Sequence, residues 1–282
     1  MSSVETDRFA EEGATLIEMG FIGVGNMGGA LAQAAAKRLA GEELLLANRT
    51  AAKAEALAAR LGCKSGDNEA VASSCRYVML AVKPQKLREA LAPLTAPLAA
   101  RQDDFVLVTM AAGVSIARLR ELAGGAYPVI RIMPNTPCAI GQGTVLCCRS
   151  DNVSDAAYAR FKEIMGGAGT LLDLDESLID AGSAVSGCGP AYVYTFIESM
   201  ADAAVACGLT RADALSLAAS TVAGAAQMVL ESGRHPAQLR DSVCSPGGST
   251  IAGVLSLERG GFRAAVADCV RAAFERTQEL GK

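Results

Sequence analysis

Two segments near opposite ends of the chain have the residue types of anion-binding loops. Residues 23–28, Gly-Val-Gly-Asn-Met-Gly, follow an apolar run and precede a helical pattern, and we call them the glycine loop. Residues 245–250, Ser-Pro-Gly-Gly-Ser-Thr, combine hydroxyls, glycines and a turn-forming proline before another apolar run, and we call them the serine segment. Backbone N–H groups at such loops, and at the helix that follows, bind anions. Two of these sites in one chain indicate an enzyme with a cofactor and a small acidic substrate.

The glycine loop has the G-x-G-x-x-G spacing of a dinucleotide site in its required context, between a strand and a helix. Gly23 is expected to make the tight turn, Gly25 to admit the pyrophosphate, and Gly28 to let helix and strand pack closely. Asn26 and Met27 open the helix, whose N-terminus supplies N–H donors and a positive dipole end. The alternative is a structural turn that binds nothing.

The choice of dinucleotide depends on the end of the second strand, where a carboxylate normally holds the ribose 2′-hydroxyl. The residues there are Asn48, Arg49 and Thr50, and none is acidic. Arg49 can pair with a 2′-phosphate while Asn48 and Thr50 donate hydrogen bonds. The pattern predicts NADPH as the cofactor, with NADH as the alternative if Arg49 is only a solvated loop residue.

Three further strand ends face the same predicted crevice. They contribute Ala81, Val82, Lys83 and Pro84 after one strand, Ala111 and Ala112 after the next, and Asn135 after a third. Lys83 either meets a phosphate or ribose or caps the crevice, and the sequence does not choose between the two roles. The small residues and prolines at the later strand ends predict a shelf for the nicotinamide ring.

A doubly wound sheet would position these residues, and the first part of the chain alternates strand and helix patterns. Predicted strands cover residues 15–22, 43–47, 77–82, 105–109 and 129–133, with weaker ones at 144–147 and 170–172. Predicted helices cover residues 27–39, 51–61, 84–98 and 115–122. Near-continuous apolar strands are typical of a mostly parallel sheet covered on both faces. The predicted fold class is α/β, an N-terminal Rossmann-type doubly wound sheet followed by an all-α domain.

After about residue 175 the strand patterns stop, and helices are predicted at 190–207, 211–231, 237–243, 250–258 and 262–279. We therefore predict a dinucleotide-binding domain over residues 15–174 and a helical substrate-binding and dimerisation domain over residues 175–282. Dimerisation is expected because these helices carry more apolar face than one small bundle can cover. The alanine-rich helix 211–231 can approach other helices closely.

Composition restricts the remaining function classes. Hydrophobic residues make up 51% of the chain, enough for well-filled cores, and the net charge of −4 disfavours nucleic acid as a partner. Unbroken apolar runs are too short for a membrane span, and the first residues do not resemble a signal peptide. The cytoplasm is the expected location.

Cysteine and histidine usage points away from disulfides and metals. Nine cysteines without a C-x-x-C pair fit a closed disulfide set poorly and are expected as reduced, mostly buried thiols. The single histidine, His235, stands before Pro236 and is expected in a surface loop. One imidazole leaves a multi-histidine zinc site and a Ser-His-Asp triad without their usual residues, so no metal is predicted.

Four motifs agree in order and spacing with the signature of the pyrroline-5-carboxylate reductases, a family that the chain resembles from about residue 17 to residue 279. They are the glycine loop with its preceding strand, Met-Pro-Asn-Thr-Pro at 133–137, Ser-Gly-Cys-Gly-Pro-Ala-Tyr at 186–192, and the serine segment with its flanks at 236–258. The resemblance implies NAD(P)H-dependent reduction of 1-pyrroline-5-carboxylate to L-proline, the last step of proline biosynthesis. It also implies a homodimer of interleaved helices, with a larger ring of dimers as a further assembly.

The same resemblance assigns roles within the serine segment. Ser245 and the backbone N–H groups of Gly247, Gly248, Ser249 and Thr250 would hold the substrate carboxylate, while the Thr250 hydroxyl would reach the ring nitrogen. Ser245 and Thr250 are therefore the expected catalytic residues. Reduction of a cyclic imine does not demand a histidine base, because solvent or substrate supplies the proton that the ring nitrogen needs.

Other functions remain open at this point. A β-hydroxyacid dehydrogenase, or another imine reductase, also fits a Rossmann domain followed by helices. The dehydrogenase uses a lysine on its long helix, and residues 190–207 contain none. A sensor that binds NADPH without turnover would need no second anion site, and it would not oxidise NADPH with any cyclic imine.

Overall fold

The structure, a computed structural model, describes residues 17–280. Within that range the chain forms eight strands and thirteen α-helices. The strands are β1 Ile17–Ile22, β2 Leu44–Ala47, β3 Lys64–Gly66, β4 Cys75–Leu80, β5 Val106–Thr109, β6 Val129–Met133, β7 Gly143–Arg149 and β8 Gly169–Asp173. The helices are α1 Asn26–Ala35, α2 Ala51–Leu61, α3 Asn68–Ser74, α4 Leu87–Leu91, α5 Thr95–Ala100, α6 Ile116–Ala123, α7 Asp155–Met165, α8 Ile179–Ser186, α9 Gly189–Ala206, α10 Arg211–Ser232, α11 Pro236–Ser242, α12 Ser249–Arg259 and α13 Phe262–Leu280.

The eight strands form one sheet in the order β3-β2-β1-β4-β5-β6-β7-β8. Every neighbouring pair is parallel except β6 with β7. Apolar side chains from the strands enter two separate core clusters, one containing Met19 and Phe21 and the other containing Ile22 and Leu45. A parallel sheet covered on both faces requires apolar residues on both faces, which explains the near-continuous hydrophobic runs. The predicted doubly wound sheet is confirmed.

Four strands of this sheet end side by side. Ile22, the last residue of β1, pairs with Ala47 of β2 and with Leu80 of β4. Leu80 in turn pairs with Thr109, the last residue of β5. The sheet grows in opposite directions from β1, towards β2 on one side and β4 on the other, and such a switch point opens a crevice at the carboxyl ends of parallel strands.

The helix predicted over residues 84–98 is not continuous. A 3-10 turn at Pro84–Lys86 leads into α4, and a second at Ala92–Leu94 leads into α5. Pro93 lies in the second 3-10 turn and Pro97 lies in the first turn of α5. A proline inside a helix lacks the N–H group that the ladder needs and crowds the preceding turn, whereas one in a first turn costs little. The prolines therefore divide the segment into short helices.

Four elements were not predicted: β3, α3, α7 and α8. β3 consists of three exposed residues, and its pattern carries no apolar alternation. α3 and α7 begin at side-chain caps, with Asp67 accepting from the Ala70 N–H at 2.7 Å and Ser154 from the Ala157 N–H at 3.2 Å. Residues 15 and 16, predicted as the start of the first strand, lie outside the described residues.

All nine cysteines are free thiols. Four of them, all in the sheet half of the chain, are buried: Cys75, Cys138, Cys147 and Cys148. The other five are partly or fully exposed. The expectation that most cysteines are buried is therefore wrong, because the helical half of the chain buries few of its side chains by itself.

The chain divides into two compact units. One contains the sheet and extends to Ser183, together with the end of α13 from Thr277, and the other is Ala184–Arg276. The division falls within α8, later than residue 174. The functional limits 15–174 and 175–282 stay a prediction, because compactness alone does not identify what each unit binds.

The helical unit has a small core of its own, formed by Ala201, Ala214 and Ala218 where α9 packs against α10. Many of its larger apolar side chains are exposed: Val185, Val193, Tyr194, Leu209, Leu215, Leu217, Met228, Leu230, Val243, Leu255, Leu257, Phe262 and Val266. Exposed apolar surface of this extent marks an interaction surface.

By length and composition, α10 is the one helix among the described residues that could cross a membrane. The sequence expectation concerned unbroken apolar runs, and Gly224 and Gln227 interrupt the run in α10, whose apolar character comes largely from alanines. That expectation stays a prediction.

Candidate functional site

The loops after β1, β2, β4, β5 and β6 lie along one edge of the sheet, because these strands are parallel and adjacent. Every residue predicted to bind the cofactor belongs to one of these five loops or to the helix start that follows. The structure therefore brings the predicted cofactor residues together at a single edge, with the glycine loop at the switch point.

Gly23 makes the turn that leads out of β1. Its φ angle is +103°, a conformation that side-chain-bearing residues rarely adopt. A Cβ atom at Gly23 would lie 2.6 Å from the Ala81 carbonyl oxygen, while its N–H donates to the Ala47 oxygen at 2.8 Å. The turn is thus fixed between the ends of β2 and β4, as the tight-turn role requires.

Gly28 and Gly25 have different surroundings. A Cβ atom at Gly28 would collide with the Gly23 carbonyl oxygen and would lie 2.9 Å from the Ala81 Cβ. Gly25 is the N-cap of α1, and a Cβ there would meet no atom within 4 Å. Gly28 is therefore required by packing, whereas Gly25 borders an open cradle of the kind that a pyrophosphate fills.

Several helix starts lack a side-chain cap, those of α4, α5 and α9 as well as the three at predicted anion sites. α1, α2 and α12 have no side-chain hydrogen bond at their N-caps, which are Gly25, Thr50 and Gly248. Side chains of Asp67, Ser115, Ser154, Thr210 and His235 cap α3, α6, α7, α10 and α11. The first N–H groups of a helix lack intrahelical acceptors, so an uncapped start retains donors for a ligand anion.

Asn48 links the glycine loop to the end of β2. Its Oδ1 accepts the Val24 N–H at 3.2 Å, and its Nδ2 donates to the Thr50 carbonyl oxygen at 3.1 Å. The amide thus supports both loops, in addition to any contact of its remaining N–H with a phosphate. Sequence reasoning missed this support because it depends on the neighbouring ends of β1 and β2.

Arg49 is exposed and has no ion-pair partner among residues 17–280. Thr50, also exposed, caps α2 without a side-chain bond, so its hydroxyl is not used in capping. Lys53 lies in the first turn of α2 and is exposed, and sequence reasoning missed it. Its spacing of one turn from Arg49 was the available signal. The start of α2 therefore carries two cations beside uncapped N–H groups.

The later loops are shaped mainly by backbone contacts. The Ala81 N–H donates to the Ile22 oxygen at 2.9 Å, Val82 is partly buried, and Lys83 is exposed just before Pro84. Ala111 is buried and Ala112 is exposed, consistent with a small-residue shelf. Asn135 is buried, and its Oδ1 accepts the Thr144 N–H at 2.8 Å. That bond gives Asn135 a role in holding the start of β7.

The serine segment belongs to the helical unit and forms a turn that leads into α12. The Gly248 N–H donates to the Ser245 carbonyl oxygen at 3.0 Å, with Gly247 at φ +69°. Proline followed by glycine at positive φ is the signature of a tight turn. A Cβ atom at Gly248 would collide with the Ser245 hydroxyl. The Gly248 N–H is thus engaged by the turn itself, which differs from its predicted role as a carboxylate donor.

The α12 start leaves other donors for a ligand. Ser249 and Thr250 occupy the first two helical positions, where N–H groups have no intrahelical acceptor, and both residues are exposed in this unit. Ile251 completes the first turn, because the next N–H, that of Ala252, bonds the Gly248 oxygen. The geometry suits a small anion bound by backbone groups.

The protonation states at the sheet edge favour binding over nucleophilic chemistry. Burial raises the pKa of the Cys138 thiol, next to Asn135. That thiol is therefore protonated near neutral pH and is a poor nucleophile. His235 is engaged elsewhere, since its Nδ1 accepts the Ala237 N–H at 3.2 Å as the cap of α11.

A cavity of about 640 Å³ lies away from the predicted residues, bounded by α6, β7 and the segment after β8. Two of its lining residues bond each other, since the Tyr158 hydroxyl donates to Asp173 at 2.6 Å, and Lys162 of α7 also pairs with Asp173, at 2.7 Å. Burial, and then the bond to Asp173, raise the pKa of Tyr158. These paired groups link α7 to the end of β8.

Comparisons with known proteins agree on one family. A family model for pyrroline-5-carboxylate reductase dimerisation matches residues 176–280, and a model for coenzyme F420-dependent NADP oxidoreductases matches residues 18–113. A curated pyrroline-5-carboxylate reductase of Synechocystis is 40% identical over 273 residues, covering 94% of this chain and 99% of that protein.

Two solved structures are similar over nearly the whole chain. The pyrroline carboxylate reductase of Plasmodium falciparum, solved with NADP bound, is 33% identical with a TM-score of 0.85, covering 96% of this chain and 100% of that one. The corresponding enzyme of Coxiella burnetii is 30% identical with a TM-score of 0.86, covering 95% of this chain and 100% of that one.

Substitution by alanine is expected to have different effects at Gly28 and at Gly25. Gly28→Ala is expected to lower the free energy of unfolding by about 1–3 kcal/mol, because the added methyl overpacks the loop. Gly25→Ala, the matched control, is expected to change it by less than about 0.5 kcal/mol, because the methyl enters open space. It should nevertheless weaken NADPH binding at least about tenfold by filling the cradle. Chemical denaturation and NADPH fluorescence titration measure the two effects, and equal losses of stability would contradict the assignment.

Proposed function

The chain belongs to the pyrroline-5-carboxylate reductase family and reduces 1-pyrroline-5-carboxylate to L-proline with a nicotinamide cofactor; we propose here which residues perform this reaction. The observation that carries the proposal is the pair of glycine-capped helix starts at α1 and α12, where no side chain takes up the first N–H groups. One start suits the cofactor pyrophosphate and the other suits the substrate carboxylate.

The serine segment binds the substrate carboxylate in this proposal. The N–H groups of Ser249 and Thr250 and the dipole of α12 supply the attraction, and Gly247 and the Ser245 hydroxyl complete the anion site. Gly248 contributes by the absence of a side chain, which leaves the Ser245 hydroxyl in place. No arginine is required, because backbone donors at a helix start hold a carboxylate by themselves.

Thr250 has a second role in the proposal, as a hydrogen-bond partner of the ring nitrogen. Its backbone N–H faces the anion site while its hydroxyl, free of capping duty, is available to the nitrogen that gains a proton. When bound, the reduced nicotinamide supplies the hydride to the imine carbon. Positioning the substrate ring is then the main contribution of the protein, and the hydroxyl adds a smaller one.

The cofactor preference in the proposal rests on α2. Arg49 and Lys53 place two exposed cations at an uncapped helix start, where a 2′-phosphate would gain charge-assisted hydrogen bonds. NADPH is therefore the proposed cofactor, with NADH accepted less well. Lys83, on the next loop, faces the same edge and adds positive charge there.

The absence of a lysine from α9 counts against the dehydrogenase alternative, because that chemistry needs the lysine ammonium beside the substrate hydroxyl. The proposed anion site at α12 counts against a sensor that binds NADPH without turnover. Such a sensor would bind no substrate, and the N–H groups at the start of α12 would have no ligand to bind.

Subunit association in the proposal covers the exposed apolar side chains of the helical unit, which lies within the dimerisation match. This use also accounts for the apolar character of α10 without a membrane. A ring of dimers and a cytoplasmic location are further proposals. The nine free cysteines support the latter, because reduced thiols persist in that compartment.

Purified protein is expected to oxidise NADPH in the presence of pyrroline-5-carboxylate and to form proline. Thr250→Ala is expected to lower turnover by one to three orders of magnitude, about 1.4–4 kcal/mol of transition-state stabilisation, because the ring nitrogen loses its partner. Thr250→Ser keeps the hydroxyl and should retain most of the activity. NADPH absorbance and proline analysis measure these rates.

The control for Thr250 is Ser256→Ala, which removes a hydroxyl from the same helix away from its start. Unchanged kinetics of Thr250→Ala would remove Thr250 from the mechanism. No turnover by the unaltered protein with either cofactor would reject the proposed reaction.

Arg49→Ala is expected to raise the KM for NADPH about tenfold, since a charge-assisted contact with the 2′-phosphate is worth about 1.4 kcal/mol or more. The KM for NADH should not change, because NADH has no such phosphate. Arg60→Ala, at the last turn of the same helix, is the matched control. A preference of the unaltered enzyme for NADH would defeat the role given to Arg49.

Sedimentation at micromolar concentration is expected to show a dimer or a larger assembly. Leu217→Glu with Met228→Glu should release monomers, because these side chains, 56% and 53% exposed, lie three turns apart on one face of α10. Ala99→Glu with Ala156→Glu adds the same charge to exposed helices of the sheet unit and should not change the assembly. A monomeric unaltered protein would refute the dimer.

A further inference from the structure

Arg131 is a buried cation in the middle of β6, with 3% of its surface exposed. One guanidinium nitrogen contacts Asp180 Oδ1 at 2.6 Å, and the other contacts Glu176 Oε1 at 3.4 Å. Its Nε is buried without a hydrogen-bond partner among residues 17–280. The two carboxylates therefore determine where the guanidinium lies, and the guanidinium in turn holds both carboxylates.

Glu176 also contacts α6, which lies about 60 residues earlier in the chain. The same Oε1 accepts the Ile116 N–H at 2.6 Å. Ile116 is the first residue of α6, whose N-cap Ser115 accepts instead from the Arg118 N–H at 3.1 Å. A carboxylate at a helix start is favourable because the first N–H groups lack acceptors and the dipole is positive there. The first donor of α6 is thus satisfied by a residue from beyond β8.

This contact fixes one end of the loop between β5 and α6, residues 110–115, which we call the shelf loop. Its other end is held where Thr109 Oγ1 accepts the Ala111 N–H at 3.3 Å. Thr109 pairs in register with Arg131 on the neighbouring strand. Both ends of the shelf loop are therefore anchored near Arg131, one through Thr109 and the other through Glu176. Between them, Gly113 adopts a φ of +71° and the loop turns.

We propose that Glu176, held by Arg131, is the positioning residue of the shelf loop and so sets the placement of the nicotinamide ring against the imine carbon. The inference rests on the proposed function, together with the nicotinamide shelf that the sequence predicts at Ala111 and Ala112. Glu176 touches neither cofactor nor substrate. Its effect passes through the Ile116 N–H to the loop.

The role predicts a separation of hydride transfer from cofactor binding. The glycine loop and Arg49, which are proposed to hold the phosphates, share no hydrogen bond or ion pair with Glu176 among residues 17–280, so the affinity for NADPH should survive the loss of Glu176. The placement of the nicotinamide ring should be disturbed, and a displacement of about 1 Å at the reacting atoms lowers the rate of hydride transfer by up to about 100-fold.

Single-turnover oxidation of bound NADPH after mixing with pyrroline-5-carboxylate tests the proposal, together with fluorescence titration of NADPH. Glu176→Ala is expected to slow hydride transfer about 10- to 100-fold while the NADPH dissociation constant changes less than about threefold. Glu176→Gln keeps an oxygen acceptor for the Ile116 N–H and should stay within about threefold of the unaltered enzyme in both measurements.

Two further variants separate the loss of the Ile116 contact from a general loss of stability. Glu176→Asp retains the charge opposite Arg131 but is too short to hold the Ile116 N–H, so it should slow hydride transfer even if Glu176→Ala fails to fold. Glu121→Ala removes a carboxylate that pairs with Arg118 on α6 and should behave as the unaltered enzyme.

Unchanged hydride transfer in Glu176→Asp, or equal losses in Glu176→Gln and Glu176→Asp, would overturn the proposal. A fall in thermal stability with an unaltered rate per folded molecule would also overturn it, since that is the signature of a purely structural ion pair. Failure of the unaltered protein to turn over would instead overturn the proposed function, which separates the two conclusions.

Discussion

Uncapped helix starts are the constraint on which the functional parts of this protein depend. A side-chain cap stabilises a helix start by about 1 kcal/mol, and five helices of the chain use one. α1, α2, α4, α5, α9 and α12 do without it. Of these, α1, α2 and α12 follow segments whose residues indicate an anion site. At these three starts, ligand phosphates and a carboxylate are proposed to take the place of the caps.

The sheet gives two of these helix starts a common location. Because β1, β2, β4 and β5 end in register, α1 and α2 begin at the same edge as the later loops. Glycine is required at two points for different reasons: Gly23 for its positive φ, and Gly28 because no Cβ fits beside the Gly23 carbonyl. The third start, α12, belongs to a unit with a very small core, and its exposed apolar side chains are the surface that a second subunit would bury.

Much of the fold followed from local patterns. The apolar strands predicted the parallel sheet because a strand covered on both faces needs hydrophobic side chains in both directions. The prediction of one helix over residues 84–98 was wrong. Pro93 and Pro97 interrupt the helix according to their position within a turn, and the spacing of apolar residues does not show that position. The capped helix α3 was missed because its seven residues present a short apolar face and its cap resembles a loop residue. The helix α7 buries Ala157, Phe161, Ile164 and Met165 at helical spacing, so its pattern was present in the sequence and was overlooked.

The sequence by itself determined the family and the order of sheet and helices, and it predicted the two anion-binding segments, because these depend on residue types at fixed short spacing. Only the tertiary structure decided which groups meet across long separations. Asn48 supports the Val24 N–H from the neighbouring strand end, the Gly248 N–H is taken by its own turn, and Glu176 reaches the Ile116 N–H from beyond β8. Such contacts are set by strand order and register, and no local pattern encodes which distant donor a side chain will satisfy.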